Sequence, residues 1–381
     1  MISRKELFLA VAAATLLLPP LATGEVSPER FARRRAVDPK SSQLHLFGVW
    51  PNRLRIFDEA TEEFVSEIPL KFGASTNSTH SPDFSKFYFV TDRMEAVEVV
   101  DLAKGAVVDT VKLSDQARQV RMGNIAVNPA GTLLYLVATP VVLEIDRFVP
   151  AESEIFVYDL ENKRLRESFK MPDEVESGHR PSIHFSPDGS SIFLFGRDIY
   201  EIRASDNELV DTITLSKPLQ AGYGPFRGAR LTEEEPGIYY GLYRTQDPFL
   251  KKTMMGVLRI DLTKKDVESF ELGPDVKVGM FAIASDKKRA YAGLNDLLAI
   301  DMETKTVIKR VENFEQGRTN NSLIVSSDGK KLYVGGVGDT IQVYDTETLS
   351  LVKSIFAGGD FMATPVAIPR AVALPRAPAA K

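Results

Sequence analysis

Four histidines, His45, His80, His179 and His184, are the side chains of this 381-residue chain best suited to moving protons or ligating a metal near neutral pH. His179 and His184 stand five apart across Pro181, with no carboxylate at metal-ligand spacing, so they read as hydrogen-bonded loop and strand-edge residues. Carboxylates recur at Asp58, Asp101, Asp159, Asp261, Asp301 and Asp345, each closing a short apolar run. Their wide spacing suits equivalent turns better than one acid–base site. Gly335-Gly336-Val337-Gly338 is a lone glycine cluster without the lysine of a phosphate loop. Glu233-Glu234-Glu235 reads as a solvated loop, and Tyr239, Tyr240 and Tyr243 read as packing residues. Cysteine is absent and Trp50 is the single tryptophan. A disulfide, a thiolate zinc site, an iron–sulfur cluster, a covalently attached haem and a tryptophan-derived quinone are therefore all excluded within this chain. No self-sufficient catalytic set emerges, which points to a scaffold or partner-binding role.

The chain that must position these residues is soluble in character. Apolar residues make up 44% and charged residues 26%, the balance of a well-packed globule. Lysine plus arginine total 47 and aspartate plus glutamate 52, giving a net charge of −5, so no basic field invites nucleic acid.

Beyond residue 43 the sequence repeats one unit. Leu54–Asp58, Val97–Asp101, Ile155–Asp159, Leu258–Asp261, Leu298–Asp301 and Ile341–Asp345 are copies of one alternating strand, and Ile199–Ile202 is a seventh with Arg203 in the aspartate position. Successive closing positions lie 43, 58, 44, 58, 40 and 44 residues apart. That period fits four short strands with turns, the length of a β-propeller blade, and no long helical periodicity follows residue 43. A second marker, Ser81-Pro82-Asp83, Asn128-Pro129-Ala130-Gly131, Ser186-Pro187-Asp188-Gly189, Ser285-Asp286 and Ser327-Asp328-Gly329, predicts the tight turn joining the innermost strand of each blade to the next. The fold is expected to be all-β: a seven-bladed β-propeller over 44–370, with blades near 44–70, 80–113, 124–171, 182–215, 228–272, 280–311 and 322–356. The first lacks an inner strand, and Ala363–Ile368 is expected to supply it and close the ring.

Residues 1–24 read as a secretory signal peptide. Arg4 and Lys5 precede the apolar run Leu7–Leu18, which spans only about 18 Å as a helix against about 30 Å of bilayer core. A polar linker, 25–43, carries Arg33-Arg34-Arg35, and 371–381 reads as a loose tail. The expected location is the periplasm. The two longer repeats owe their length to Thr139–Ser153 and Arg244–Met255, both between the second and third strands of a blade and hence on one face. Such loops suit recognition.

On these residues the chain resembles the propeller (beta) subunit of bacterial quinohemoprotein amine dehydrogenase, within the YVTN-type seven-bladed propellers. The similarity runs through Trp50-Pro51-Asn52-Arg53-Leu54, Asp198-Ile199-Tyr200, Gly293-Leu294-Asn295-Asp296-Leu297, Gly329–Gly336 and Gly358-Gly359-Asp360-Phe361-Met362-Ala363-Thr364-Pro365. The resemblance implies a subunit with no cofactor of its own, assembled with a small subunit bearing cysteine tryptophylquinone and a dihaem cytochrome carrying haem c. It also implies oxidative deamination of a primary amine at the partner's quinone. No catalytic, cofactor or metal residue is assigned here. Interface candidates are Phe148, Phe249, Leu250, Met254, Met255, Asp360, Phe361 and Thr364, with Val141, Val142 and Leu143 also apolar in the first insertion. Two other readings stand beside this one: a stand-alone exported propeller that binds a protein or polymer, and an independent lactonase-like enzyme, which would need a convergent His, Glu and Arg set.

Overall fold

A computed structural model describes residues 44–49, 52–73, 77–91, 93–175, 181–217, 227–314, 319–361, 365–372 and 374. The signal and linker segments, Trp50, His179, Thr364 and most of the tail lie outside the described residues. Strands β1 (Leu44–Val49), β2 (Arg53–Asp58) and β3 (Glu63–Pro69) begin the first blade. The second holds β4 (Ser78–His80), β5 (Lys86–Thr91), β6 (Ala96–Asp101) and β7 (Ala106–Lys112). The third holds β8 (Arg118–Val127), β9 (Leu133–Leu143), the short β10 (Phe148–Pro150), β11 (Glu154–Asp159) and β12 (Arg164–Lys170). The fourth is β13 (Ser182–Phe185), β14 (Ser191–Phe195), β15 (Ile199–Arg203) and β16 (Leu209–Ile213). The fifth is β17 (Arg227–Glu235), β18 (Ile238–Asp247), β19 (Lys252–Asp261) and β20 (Asp266–Pro274). The sixth is β21 (Val278–Ile283), β22 (Arg289–Leu294), β23 (Leu297–Asp301) and β24 (Thr306–Val311). The seventh is β25 (Asn320–Val325), β26 (Lys331–Gly336), β27 (Thr340–Asp345) and β28 (Leu351–Phe356), and β29 (Val366–Ile368) follows. All pairings are antiparallel and join strands that follow one another in the chain, except that β9 pairs with β11 past the short β10 and β29 pairs with β1, so the sheet order of the first blade is β29-β1-β2-β3.

The continuous apolar runs have a direct physical cause. A middle strand of a blade is covered on both faces, so its alternate side chains enter two different cores. In β5, Phe87 and Phe89 pack with Leu44, Leu46 and Ile56 of the first blade, whereas Tyr88 and Val90 pack with Val120 and Leu134 of the third. One such cluster fills each junction between neighbouring blades, including the junction of the seventh with the first. Seven sheets packed pairwise in a closed cycle form the expected β-propeller.

The expected ring closure is present. β29 pairs with β1 through Leu44↔Ile368, His45↔Ala367 and Leu46↔Val366. The seam is reinforced from both sides. Phe361, 1% exposed, lies 5.0 Å from the Phe47 ring and makes a bridge to Val49. Arg55 Nη1 donates to the Ala357 carbonyl at 2.7 Å, Arg53 donates to the Gly358 carbonyl, and Arg370 pairs with Asp58. Glu62 accepts from both Lys331, at 2.7 Å, and Lys353. Buried Glu59 accepts from Ser327 N at 2.7 Å and Ser327 Oγ at 2.9 Å, with His45 Nε2 3.2 Å away. Burial alone would raise the Glu59 carboxyl, but hydrogen bonds from His45 and from the Ser327 amide and hydroxyl outweigh it and hold the group below its ordinary value.

Candidate functional site

Antiparallel connectivity sorts the loops. Turns between first and second strands and between third and fourth strands lie on one face of the ring. Connections between second and third strands, and crossings to the next blade, lie on the other.

The first face is built from capped tight turns. Ser81 Oγ donates to Asp83 Oδ1 at 2.6 Å and accepts from Lys86 N at 2.9 Å, and Ser186, Asp188 and Ser191 repeat the arrangement. In the seventh blade Ser327-Asp328-Gly329 lie in the expected turn, and the capping serine is Ser326, one residue before them. Ser327 occupies the proline position of the other turns and is thereby free to reach Glu59 across the seam. The carboxylates that close the third strands act as the turn reading requires. Asp159, Asp301 and Asp345 each accept from the backbone N–H three residues on, at 2.7 to 2.9 Å. Hydrogen bonds from Thr304 N–H and from Arg289 push Asp301 down to about 2. Among the described residues no group of three or more His, Asp or Glu is placed to hold a metal ion.

The second face carries both insertions, and here expectation needs correction. Thr139–Ser153 and Arg244–Met255 are not free loops but extensions of their sheets. β9 continues to Leu143 and turns back as β10, with Phe148 opposite Leu143. β18 and β19 pair without interruption from Ile238↔Asp261 to Asp247↔Lys252. Two stiff arms result, and their tips are apolar. Phe249 is 86% exposed and Leu250 59%, on a turn held by Asp247 Oδ1, which accepts from Phe249 N at 2.8 Å and Leu250 N at 3.0 Å. On the other arm Phe148 is 70% exposed and Ile145 fully so, beside a 2.6 Å Arg147–Glu144 pair. Ile145 was legible only as an apolar residue between Glu144 and Asp146, a weak signal. Val142 is exposed, while Val141 and Leu143 are partly covered.

The remaining candidates sit elsewhere. Met254 and Met255 lie at the base of their arm and are buried, Met255 among Leu242, Val257 and Leu298. Met255 serves the junction of the fifth and sixth blades and Met254 is buried beside it, so the expectation that they form exposed loop surface is corrected. Phe361 is likewise withdrawn into the seam, and Asp360 Oδ1 accepts from Gly338 N at 2.6 Å. The glycine cluster is explained by the same seam. A side-chain carbon on Gly335 would lie 2.8 Å from the Phe361 ring, and one on Gly336 would lie 2.1 Å from the Thr319 carbonyl oxygen. Close packing, not phosphate binding, requires these glycines.

Between the faces runs a central cavity of about 1220 Å³, walled by the inner strands. His45, His80 and His184 all border it. His80 stacks on Phe84 at 4.2 Å, with Nδ1 donating to the Ser81 carbonyl at 2.9 Å. His184 lies between the Tyr239 hydroxyl, 3.1 Å from Nδ1, and Ser182 Oγ, 3.0 Å from Nε2. These contacts agree with the reading of hydrogen-bonded strand histidines. The acidic triplet is not a solvated loop: it ends β17 at the cavity wall, with Glu234 3.3 Å from Lys287 Nζ and Glu233 accepting from Gly237 N at 3.1 Å. Tyr239 and Tyr243 are buried in blade packing, as expected.

No family model matches the chain, and no curated protein matches it. Solved structures do. The chain is similar to Kuenenia stuttgartiensis hydrazine synthase at 16% identity and a TM-score of 0.52, over 85% of this chain and 95% of that one. It is similar to the dihydro-heme d1 dehydrogenase NirN, solved in complex with DHE, at 17% identity and 0.52, over 87% of this chain and 75% of that one. A functionally unknown protein from Desulfotomaculum acetoxidans aligns at 12% identity and 0.54, over 86% of this chain and 99% of that one. At these identities the likeness establishes a shared propeller fold and nothing finer.

Proposed function

We propose that this chain is the cofactor-free propeller subunit of an exported amine-oxidising complex of the quinohemoprotein amine dehydrogenase kind, presenting its arm-bearing face to the subunits that carry the chemistry. The observation that carries the reading is the pair of apolar tips, Ile145 with Phe148 and Phe249 with Leu250, held on rigid extensions of two blades on one face. Exposed phenylalanines on hydrogen-bonded turns cost solubility, and a surface that keeps them suits a partner that covers them. In this reading cysteine tryptophylquinone and haem c belong to the small subunit and the dihaem cytochrome. The chain's own residues do not fit either group, since it has no cysteine and one tryptophan. Residues 1–24 serve as the export signal and the complex works in the periplasm. The chain's task is to orient the small subunit and limit water at the joint surface.

A second reading, a stand-alone exported binding module, is favoured by the central cavity and its polar wall of Ser182, His184 and Asn321. Affinity capture on the full chain from its native periplasm separates the two. Haem absorbance and a small quinone-staining polypeptide, both lost with a Phe148→Glu, Phe249→Glu double variant, support the complex. A colourless monomer from the native source refutes it.

A further inference from the structure

Uncharged contacts join several neighbouring blades at the first face. A side-chain carbon on Gly131 would lie 3.3 Å from Pro82, one on Gly189 3.4 Å from Pro129 and one on Gly237 3.3 Å from Pro187. The turn proline of the second, third and fourth blades thus rests on the turn glycine of the next. At the seam the same turn position holds Ser327, and its contact is the Glu59 carboxylate. Glu59 belongs to one turn, Asp58–Glu62, whose three carboxylates each grip residues between 268 and 312 positions later in the chain. Asp58 accepts from Arg370 Nη1 at 3.1 Å, Glu59 from Ser327, and Glu62 from Lys331 at 2.7 Å and from Lys353. The counterpart turns are built otherwise. Asp159, Asp301 and Asp345 accept from their own backbone, and the charges that reach the preceding blade are cations, Lys163 to Asp109 and Lys265 to Asp211 and Glu201.

We propose that the Asp58–Glu62 turn is an acid-released clasp, whose protonation opens the ring between the seventh and first blades while the other junctions stay shut. A protonated carboxyl no longer attracts Arg370, Lys331 or Lys353, and it loses the charge that strengthens the Ser327 bonds. The groups facing the clasp are Arg370 and His45 from the first blade, and Lys331, Lys353, Tyr333 and, beyond the tyrosine, Asp328 from the seventh. Farther along the seam Arg55 and Arg53 hold the carbonyls of Ala357 and Gly358, with Glu67 beside them. With the clasp neutral, Arg370, His45, Lys331 and Lys353 meet across the seam, and Asp328 stays engaged by Ser326 in its own turn at 2.6 Å. The direction is fixed. The hydrogen bond from Arg370 holds Asp58 below its ordinary 3.8. Burial pushes Glu59 and Glu62 up, but His45 with Ser327, and Lys331 with Lys353, outweigh it and hold both below 4.5. Between the folded and the ordinary values, a chain open at the seam therefore binds more protons than a closed one. The clasp is complete at neutral pH and is released as pH falls through the folded values. The closing strand that it supports adds three residue pairs, β29 to β1.

The chain has no cysteine, so a single introduced thiol reports on one junction. Ala357→Cys probes the seam cluster and Ala138→Cys the junction of the second and third blades, and both alanines are 0% exposed. A dithiodipyridine reagent, which reacts with thiols in acid, labels the full chain, and each rate is divided by that of the urea-unfolded chain at the same pH. Circular dichroism follows global unfolding alongside. Below the ordinary carboxyl values, labelling of Ala357→Cys should rise by more than about tenfold per pH unit, because more than one proton is bound at each opening. The rise should precede any loss of circular dichroism and reverse on return to neutral pH. Ala138→Cys should stay protected until the circular dichroism signal is lost. Combining Asp58→Asn, Glu59→Gln and Glu62→Gln with Ala357→Cys should give fast labelling at neutral pH and no slope. Labelling of both sites together at the global transition, seam labelling indifferent to pH, or a slope that survives in the combined variant would each overturn the proposal. The comparison of the two cysteine sites alters no carboxylate, so it decides even where the combined variant does not fold.

Discussion

Replacing Glu59 by alanine probes the seam at its most buried polar contact. The side chain is 9% exposed as a residue and receives two hydrogen bonds from Ser327, with His45 against the same carboxylate. Removing it leaves the Ser327 amide and hydroxyl and the His45 ring without that acceptor inside the protein. His45 Nδ1 already has no partner, so its ring gains no compensation there. Hydrogen bonds to an ionised acceptor contribute about 1.5–3 kcal/mol each, and orphaned buried donors cost a similar amount. The two Ser327 bonds together set an expected loss of about 4 kcal/mol, against about 5–15 kcal/mol for a typical domain. Urea unfolding followed by circular dichroism, wild type against Glu59→Ala, measures it, with exposed Glu63→Ala as a control expected within about 0.5 kcal/mol. The pH dependence has a fixed sign. The folded carboxyl titrates below its ordinary value of 4.5, so between the two values the unfolded chain binds more protons. The stabilisation is complete above the ordinary value and fades as pH falls through the folded one. Glu59→Ala should lose that part of the acid sensitivity. A loss below about 1 kcal/mol at neutral pH, or an unchanged acid slope, would refute the claim that this contact locks the ring.

Other expectations follow from the same geometry. Gly336→Ala should cost about 3 kcal/mol or more in thermal or denaturant melts, because the new carbon meets the Thr319 carbonyl oxygen and backbone cannot yield cheaply. Gly105→Ala, at a φ of 61° in the turn after Asp101, should cost only about 1 kcal/mol from left-handed strain. Deleting 366–381 removes β29 and should split unfolding into more than one transition by calorimetry, since the first blade loses its inner strand. Phe249→Glu should leave stability within about 0.5 kcal/mol while reducing capture of the partner, because the side chain touches solvent rather than core.

The ring was readable because its cause is periodic. Both faces of a middle strand are buried, so runs such as Phe87-Tyr88-Phe89-Val90 recur at blade spacing, and each is followed by turn residues with fixed roles. Closure was readable as a missing inner strand at the start and a surplus one at the end. The arms were not readable as strands. Their alternation continues that of the sheet, and an apolar residue at the base of a hairpin looks the same in sequence as one at its tip. Met254 and Phe249 thus belong to one segment but opposite environments, which only the pairing Met254↔Thr245 and the turn at Asp247 resolve. The turn at Ser327-Asp328-Gly329 was readable, but its cap was not: Ser326-Ser327 offers two hydroxyls, and the one that caps the turn is set by which reaches Lys331 N. The contact with Glu59, 268 residues away, leaves no local trace.

The strand that completes the first blade is synthesised after every other strand of the ring. While the ribosome is still at work, Leu44–Leu46 have no inner neighbour and the apolar flanks of the first and seventh blades have nothing to meet. A nascent chain can stack its blades in order yet remains an unlocked arc until Val366–Ile368 emerge. A premature stop anywhere upstream therefore yields an arc that cannot lock, and quality control would meet it as an open molecule with two adhesive ends.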